Sequence, residues 1–430
     1  MADSTVEFPR PNPEPVATGF RWSQLFRSDF ARHFGPAWLV MMADMDAACV
    51  IEAAQTGAQF GYGLIWLFLL LIVPLYIVQE LAGRISIATG RGLGSVIREH
   101  YSTGWSLLMT LPMAVTDVVT YAIEYIGIAI GLEIAGVNLW YTIPIVYVIH
   151  ILIVTKRKYT QAEIPLLLIS GALIAALVGT LVLGGVQPWT APRANPFLFS
   201  GDPAFLVILA ASVGAVIMPF MIFFQASATG VKAAELRASG YQIPRQRAVR
   251  IMRIETMAGA IVTEVLMVVT AMAFSRAYAA QSLNVFASAR QLGQVLTPVA
   301  GVAAPYVFCV GLVAAAFIAL IVISMASAWG IGESLGMSQR RIWIIYVVES
   351  LPGVVAALLI PASALIGVVI YLLVFFVFIL IGPLVMLGII GGNPEIMGKD
   401  LVMGKRASVV YWTMFGSIIS TAFIAVVFAL

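Results

Sequence analysis

Asp44 and Asp46 stand two residues apart in the middle of an apolar run, in the segment Asp44-Met45-Asp46-Ala47-Ala48-Cys49. A carboxylate at bilayer depth costs at least ~3 kcal/mol on insertion scales and persists where something compensates it. A cation is the simplest compensator. A buried Lys or Arg is the other, and no other apolar run carries one near its middle. On an intact helix the two side chains would point about 200° apart, so they converge only if the helix unwinds. Unwinding also frees backbone carbonyls, which are hard-cation ligands. A second run is interrupted at Ile217-Met218-Pro219-Phe220. Pro219 removes a backbone donor and drives Met218 out of helical geometry, which exposes the carbonyl of Ala215 one turn earlier. The Met218 thioether is either packing or a soft ligand. Cys49, beside the first interruption, is either a soft ligand or a small wall residue.

Other polar groups sit deep in apolar runs. Asp117, Tyr121 and Glu124 follow at i, i+4 and i+7, on one helical face. Such a stripe faces the bundle interior, as a water-lined route or as a hydrogen-bonded strut. Glu52 lines an outer vestibule or caps a helix. Gln225, one turn beyond Met221, is expected on the same pathway as Phe220. Glu264, Glu255, His150 and Glu349 read as structural. Metalloprotease, P-loop and nucleophile-elbow motifs are missing, and the three histidines lie far apart or near segment ends, so an enzyme is not expected.

The elements that must hold these groups are membrane helices. The 430 residues are 61% hydrophobic and 10% charged, with a mean hydropathy of +0.99, which excludes a soluble globular protein. Eleven spanning segments are expected, at roughly 34–57, 60–82, 104–134, 138–155, 161–184, 203–230, 252–275, 302–328, 342–360, 362–389 and 408–430. With the N-terminus inside, 21 of the 24 Lys and Arg residues fall on the cytoplasmic side. Only Arg193, Arg276 and Arg290 do not. Eleven crossings leave the C-terminus outside. Segments 1 and 6 are an odd number apart, cross in opposite directions and are both interrupted at mid-depth. That pattern points to an inverted-repeat transporter with its site at the midplane. The division is a cytoplasmic tail (1–33, not a signal peptide), a first repeat of helices 1–5 (34–184), an extracellular loop (185–202), a second repeat of helices 6–10 (203–389), and a loop with helix 11 (390–430). Cys49 and Cys309 lie inside apolar runs and are not expected to pair.

Gly35-Pro36 through Gly57-Ala58 with Phe60-Gly61-Tyr62, then Ile87-Ala88-Thr89-Gly90, the stretch Ile126 to Leu132, Gly214-Ala215 through Met218-Pro219, Arg253-Ile254-Glu255-Thr256 and Ile396-Met397-Gly398 together resemble the NRAMP divalent-metal transporters. The likeness runs in order over most of the chain. It implies an all-α membrane fold of the LeuT-like 5+5 inverted-repeat type, with broken helices 1 and 6 and one extra C-terminal helix. It implies import of divalent transition metals, usually with a proton. The departures are specific. Where the family reads Asp-Pro-Gly-Asn, this chain reads Asp46-Ala47-Ala48-Cys49, which keeps the metal-binding Asp and loses the Asn. Where it reads Met-Pro-His-Asn, this chain reads Met218-Pro219-Phe220-Met221, which loses the His. A second family His falls on Gln225, and an Asp linked to proton release falls on Tyr121, while the following Glu remains as Glu124. The family's tenth-helix Gln has no match around Val369 to Phe378. Losing histidines, the side chains suited to proton exchange near neutral pH, removes proton coupling by this route. Fewer ligands suit Mg²⁺, which dehydrates reluctantly and keeps waters.

The pattern is similar to the NRAMP-related magnesium transporter branch. The expected metal-binding residues are Asp46, Met218, Ala215, Cys49 and Asp44. The expected cargo is Mg²⁺, with Mn²⁺ carried too because of Met218. No resident cofactor and no nucleic-acid partner are expected, and a monomer is expected to suffice for transport, with the oligomeric state left open. The expected setting is the plasma membrane of a prokaryotic cell. The alternatives are a proton-coupled Mn²⁺/Fe²⁺ or trivalent-ion transporter and an organic-solute symporter on the same fold.

Overall fold

The computed structural model describes residues 29–155, 159–188, 195–338 and 341–429, which are helical almost throughout, with no strand among them. In a hydrocarbon layer, backbone groups are satisfied within a helix or in a closed barrel, so apolar runs of this length take the helical solution. The first run forms two helices, α1 (Pro36–Asp44) and α2 (Ala47–Phe60), separated by Met45 and Asp46. α3 (Ile65–Thr89) follows a short turn. It starts later and runs further than the expected 60–82. Its end is set by Gly90 at φ 72°, a left-handed position that suits glycine, whose N–H is donated to the Ser86 carbonyl at 2.7 Å. Arg84, read from sequence as a cytoplasmic loop residue, is therefore buried inside α3. It donates to Glu80 at 3.0 Å and to the Leu401 carbonyl at 3.2 Å. Then come α4 (Leu93–His100), α5 (Thr103–Glu133), α6 (Leu139–Val154) and α7 (Tyr159–Gly184).

The second interruption separates α8 (Pro203–Val216) from α9 (Pro219–Ala238), and each starts with a proline, whose missing donor costs nothing in a first helical turn. α10 (Arg245–Phe274) leads to α11 (Ala289–Ala300), a helix that lies between the expected spanning segments 252–275 and 302–328. α11 is fixed by its capped start. Ser288 accepts the Gln291 N–H at 3.3 Å, and Glu133 at the end of α5 accepts the Ala289 N–H at 2.9 Å. α12 (Ala304–Ser334) and α13 (Trp343–Leu359) follow. The expected tenth segment is two helices, α14 (Ala362–Gly367) and α15 (Val369–Gly391), meeting at Val368. α16 (Lys405–Ala429) ends the chain.

Eight helical spans among the described residues are long and apolar enough to cross a membrane, with the α8–α9 pair counted as one, and α6 and α13 are shorter apolar helices. The α8–α9 span has 83% of its most apolar stretch buried and α12 has 78%, against 33% for α7 and 17% for α16. The broken and central helices are therefore wrapped by peripheral ones. The peripheral helices present an apolar exterior through residues such as Leu152, Leu168, Val182 and Val409. Small residues let the centre close. A Cβ on Gly57 would sit 1.9 Å from the Ala271 carbonyl oxygen, and one on Gly214 would sit 1.8 Å from that of Leu373. Glycine at these two points brings α2 onto α10 and α8 onto α15 backbone to backbone. Residues 1–28 of the expected 1–33 tail, the Lys156-Arg157-Lys158 loop, Arg193 and Arg340 lie outside the described residues.

Candidate functional site

α1 ends at Asp44, and Met45 leaves helical geometry (φ −80°, ψ 53°). Asp46 is extended (φ −73°, ψ 178°) and caps α2, its Oδ1 accepting the Cys49 N–H at 2.7 Å. Aspartate is a favoured cap because it satisfies a donor that the first turn leaves unpaired. The cap uses one oxygen only. Oδ2 of Asp46 is buried and has no hydrogen-bond partner. From α5, Glu124 Oε2 accepts the Ala47 N–H at 3.0 Å, while its Oε1 is also unpartnered. Two carboxylates thus converge on the N-terminus of α2, where the helix dipole is positive.

The other interruption lies across from this one. Ile217 (φ −132°, ψ 95°) and Met218 (φ −92°, ψ 148°) are extended, and Pro219 restarts the helix. The Met218 N–H points at Met221 Sδ, 3.4 Å away. The Cys49 thiol donates to the Ala215 carbonyl at 3.7 Å, joining the two breaks directly. Asp44, Asp46, Cys49, Ala215 and Met218 are all buried. Among the described residues, none of the ion pairs reaches Asp44 or Asp46. The chemistry on offer is one free carboxylate oxygen of Asp46, carbonyls released by two breaks, and two sulfurs. Among the described residues, no three His, Cys, Asp or Glu side chains gather closely enough to hold a metal ion between them.

The expected pathway residues go to several places. Glu52 neither caps a helix nor reaches an open surface. It is buried, and its Oε1 accepts from Ser212 of α8 at 2.6 Å and from Thr56 at 2.9 Å. The α5 stripe divides among partners. Glu124 reaches α2, Tyr121 bonds Ser324 of α12 at 2.9 Å, and Asp117 keeps both oxygens unpartnered. His150 of α6 bridges the Tyr125 hydroxyl and Ser324, at 2.7 Å each, so α5, α6 and α12 share one hydrogen-bonded strut. Phe220 is buried beside the second break. Gln225 is buried with both amide atoms unpartnered, and its Nε2 would lie 2.8 Å from a Cβ on Gly83 of α3.

Two features were not read as functional from sequence. Glu264 on α10 is buried with both oxygens unpartnered, and its signal was a lone acid in the run Ile261 to Val269. Below the first break, Glu255 Oε1 accepts the Gly35 and Trp38 N–H groups at 2.6 and 2.9 Å. Lys232 bonds the Phe34 carbonyl and pairs with Glu163 at 2.5 Å. Lys232, expected in a cytoplasmic loop, is instead a buried residue of α9 that helps hold the start of α1.

A family model described as Nramp, natural resistance-associated macrophage protein-like, matches residues 37–428. The divalent metal cation transporter MntH of Klebsiella pneumoniae (strain 342) is 27% identical over 392 residues, 90% of this chain and 91% of that protein. The MntH of Acidiphilium cryptum is 26% identical over 326 residues, 75% of this chain and 73% of that protein. The crystal structure of the Eremococcus coleocola manganese transporter in complex with an aromatic bis-isothiourea substituted compound superposes with a TM-score of 0.79, at 17% identity, over 96% of this chain and 88% of that one. The fold is thus the all-helical, LeuT-like one with both breaks in place.

Proposed function

The chain belongs to the Nramp family, and from that premise we propose that it carries divalent metal cations, Mg²⁺ first and Mn²⁺ also, into the cell without obligatory proton coupling. Transport proceeds by alternating access around the two breaks. The curated relatives are named divalent metal cation transporters, which supports the cargo class. Eleven crossings follow if the broken α1–α2 pair and the shorter α6 and α13 join the eight long spans. The N-terminal segment is then cytoplasmic, the C-terminus is outside, and the two repeats are 34–184 and 203–389.

One observation carries the choice of cargo. Asp46 commits one oxygen to the α2 cap and leaves the other buried and unpaired, with no basic partner among the described residues, beside the Cys49–Ala215 contact between the breaks. A single carboxylate oxygen with carbonyls suits an ion that retains waters, as Mg²⁺ does. The Met218 thioether adds a softer donor that admits Mn²⁺. Phe220 and Gln225 cannot exchange protons near neutral pH. The membrane potential supplies the drive, about 4.6 kcal/mol for two charges at 100 mV.

The test is Mg²⁺ uptake into proteoliposomes under an imposed voltage, inside negative, at equal pH. Uptake that rises with voltage while an internal pH dye stays flat is expected. Acidification in step with Mn²⁺ uptake, with no Mg²⁺ uptake, rejects the proposal in favour of proton-coupled Mn²⁺ import. That second reading is favoured by Glu124, whose Oε1 remains free next to the site.

A further inference from the structure

α3 and α10 lie side by side and antiparallel. Tyr62 and Ile65, around the start of α3, cluster with Val268 and Met272 near the end of α10. Glu80, toward the other end of α3, meets Arg253 near the start of α10. That meeting is one link of a chain. Arg253 Nε donates to Glu80 Oε1 at 2.7 Å, Arg84 donates to Glu80 Oε2 at 3.0 Å, and Arg84 also donates to the Leu401 carbonyl at 3.2 Å. The side chains of Glu80 and Arg84 are sealed, at 8% and 10% exposed, whereas that of Arg253 is 47% exposed. Two guanidiniums share one carboxylate, and among the described residues neither pairs with another acid. The chain therefore carries a surplus positive charge, and its open end is Arg253.

A guanidinium is a planar fork of five donors. Nε of Arg253 is bound to Glu80, and among the described residues neither of its terminal nitrogens has a hydrogen-bond partner. The edge that those two nitrogens form matches a pair of phosphate oxygens. The surface beside it is apolar. Away from Glu80, α3 exposes Val73 and Leu69, and away from Arg253, α10 exposes Met257, Ile261 and Val265. Arg253 to Val265 spans about 18 Å of helix, close to half of a hydrocarbon core about 30 Å thick. One leaflet's acyl chains therefore fit the face that ends at this guanidinium.

We propose that Arg253, held by Glu80, binds the phosphate of an anionic phospholipid whose chains lie along the α3–α10 face. This rests on the eleven-crossing reading, which puts this end of both helices at the cytoplasmic leaflet. The surplus charge selects a headgroup that has no ammonium to balance its phosphate. The lipid clasps α10 two residues before Glu255, which accepts the Gly35 and Trp38 N–H groups at the start of α1. It thereby steadies the helix that anchors the first broken crossing.

The test is native mass spectrometry and thermal unfolding of the full-length protein, delipidated and then given phosphatidylglycerol or phosphatidylcholine. Wild type is expected to retain phosphatidylglycerol in preference and to melt at a higher temperature with it, as a ligand of the folded state dictates. R253Q should weaken phosphatidylglycerol retention about fivefold, one arginine's share near a charged surface. R406Q, at an exposed arginine in the first turn of α16, is expected to match wild type. Equal retention of the two lipids by wild type, or no greater loss in R253Q than in R406Q, overturns the site. If R253Q does not fold, R253K is read instead, because it keeps a charge beside Glu80 and loses the fork. An undiminished preference for phosphatidylglycerol in R253K also overturns the site. Neither readout involves ion transport, so the carrier reading stands or falls separately, on uptake.

Discussion

Glu124 accepts the Ala47 N–H at 3.0 Å, so the first residue of α2 is pinned by an acid from another crossing. The same N-terminus is capped from within the chain by Asp46. The helix start that borders the proposed cargo site is thus held from two sides, and one oxygen of each acid is left over.

The two duties of Asp46 are separable by substitution. Asparagine caps helices as well as aspartate does but carries no charge. D46N is expected to abolish Mg²⁺ and Mn²⁺ uptake while the unfolding free energy stays within about 0.5 kcal/mol of wild type. D46A should lose uptake and also about 1 kcal/mol of stability, the usual cost of a missing cap. Uptake assays and denaturation in detergent, run on the same preparations, decide this. Substantial uptake by D46N rejects Asp46 as the cation's carboxylate.

Replacing Glu124 by alanine strands the Ala47 N–H in a buried place. A loss of about 1–3 kcal/mol of stability is expected for E124A, the desolvation cost of an unmet donor. E124Q keeps an acceptor and should unfold close to wild type. On the uncoupled reading, E124Q also transports Mg²⁺ at near the wild-type rate under voltage. A collapse of voltage-driven uptake in E124Q would show that the ionisable proton matters.

The start of α1 is tied down by Glu255 and by the Lys232–Glu163 pair. K232M leaves a buried Glu163 without its partner, a change worth about 3–5 kcal/mol. Amide hydrogen exchange across Pro36–Asp44 is expected to speed by at least about tenfold, while exchange in α12 stays put. Uniform acceleration over the whole chain would mean general destabilisation instead of a released half-helix.

C49N puts an amide oxygen where a thiol now contacts the Ala215 carbonyl. An added oxygen ligand replaces one of the ion's waters, which favours the ion that dehydrates more readily. The ratio of Mn²⁺ to Mg²⁺ uptake at equal concentration is expected to rise several-fold, by about 1 kcal/mol of differential binding. An unchanged ratio in a competition assay removes Cys49 from the ion's surroundings.

Both helix breaks were legible in the sequence, because charge and proline inside an apolar run leave few structural alternatives. Met45 and Ile217–Met218 are where the helices stop. The destinations of the polar groups were much less legible. Spacing placed Asp117, Tyr121 and Glu124 on one face, but a face does not name its neighbours. Tyr121 is drawn into the Ser324–His150 strut, and Glu124 reaches a backbone donor that exists only because α2 begins at Ala47. Glu264 looked structural because its local sequence resembles any lone acid in a helix. Its burial comes from the packing of α10 along α1 and α2, which Gly259 and Gly57 permit. Arg84 and Lys232 were placed in loops because positive charge marks the cytoplasmic side. Their long stems instead run inward to Glu80 and Glu163 from within helices.

The bond from the Cys49 N–H to Asp46 Oδ1 is made wholly within the chain, three residues apart. The direction of the remaining oxygen is therefore dictated by the peptide scaffold. To swing that oxygen elsewhere would mean breaking the cap, so its aim and the first turn of α2 are tied to one another.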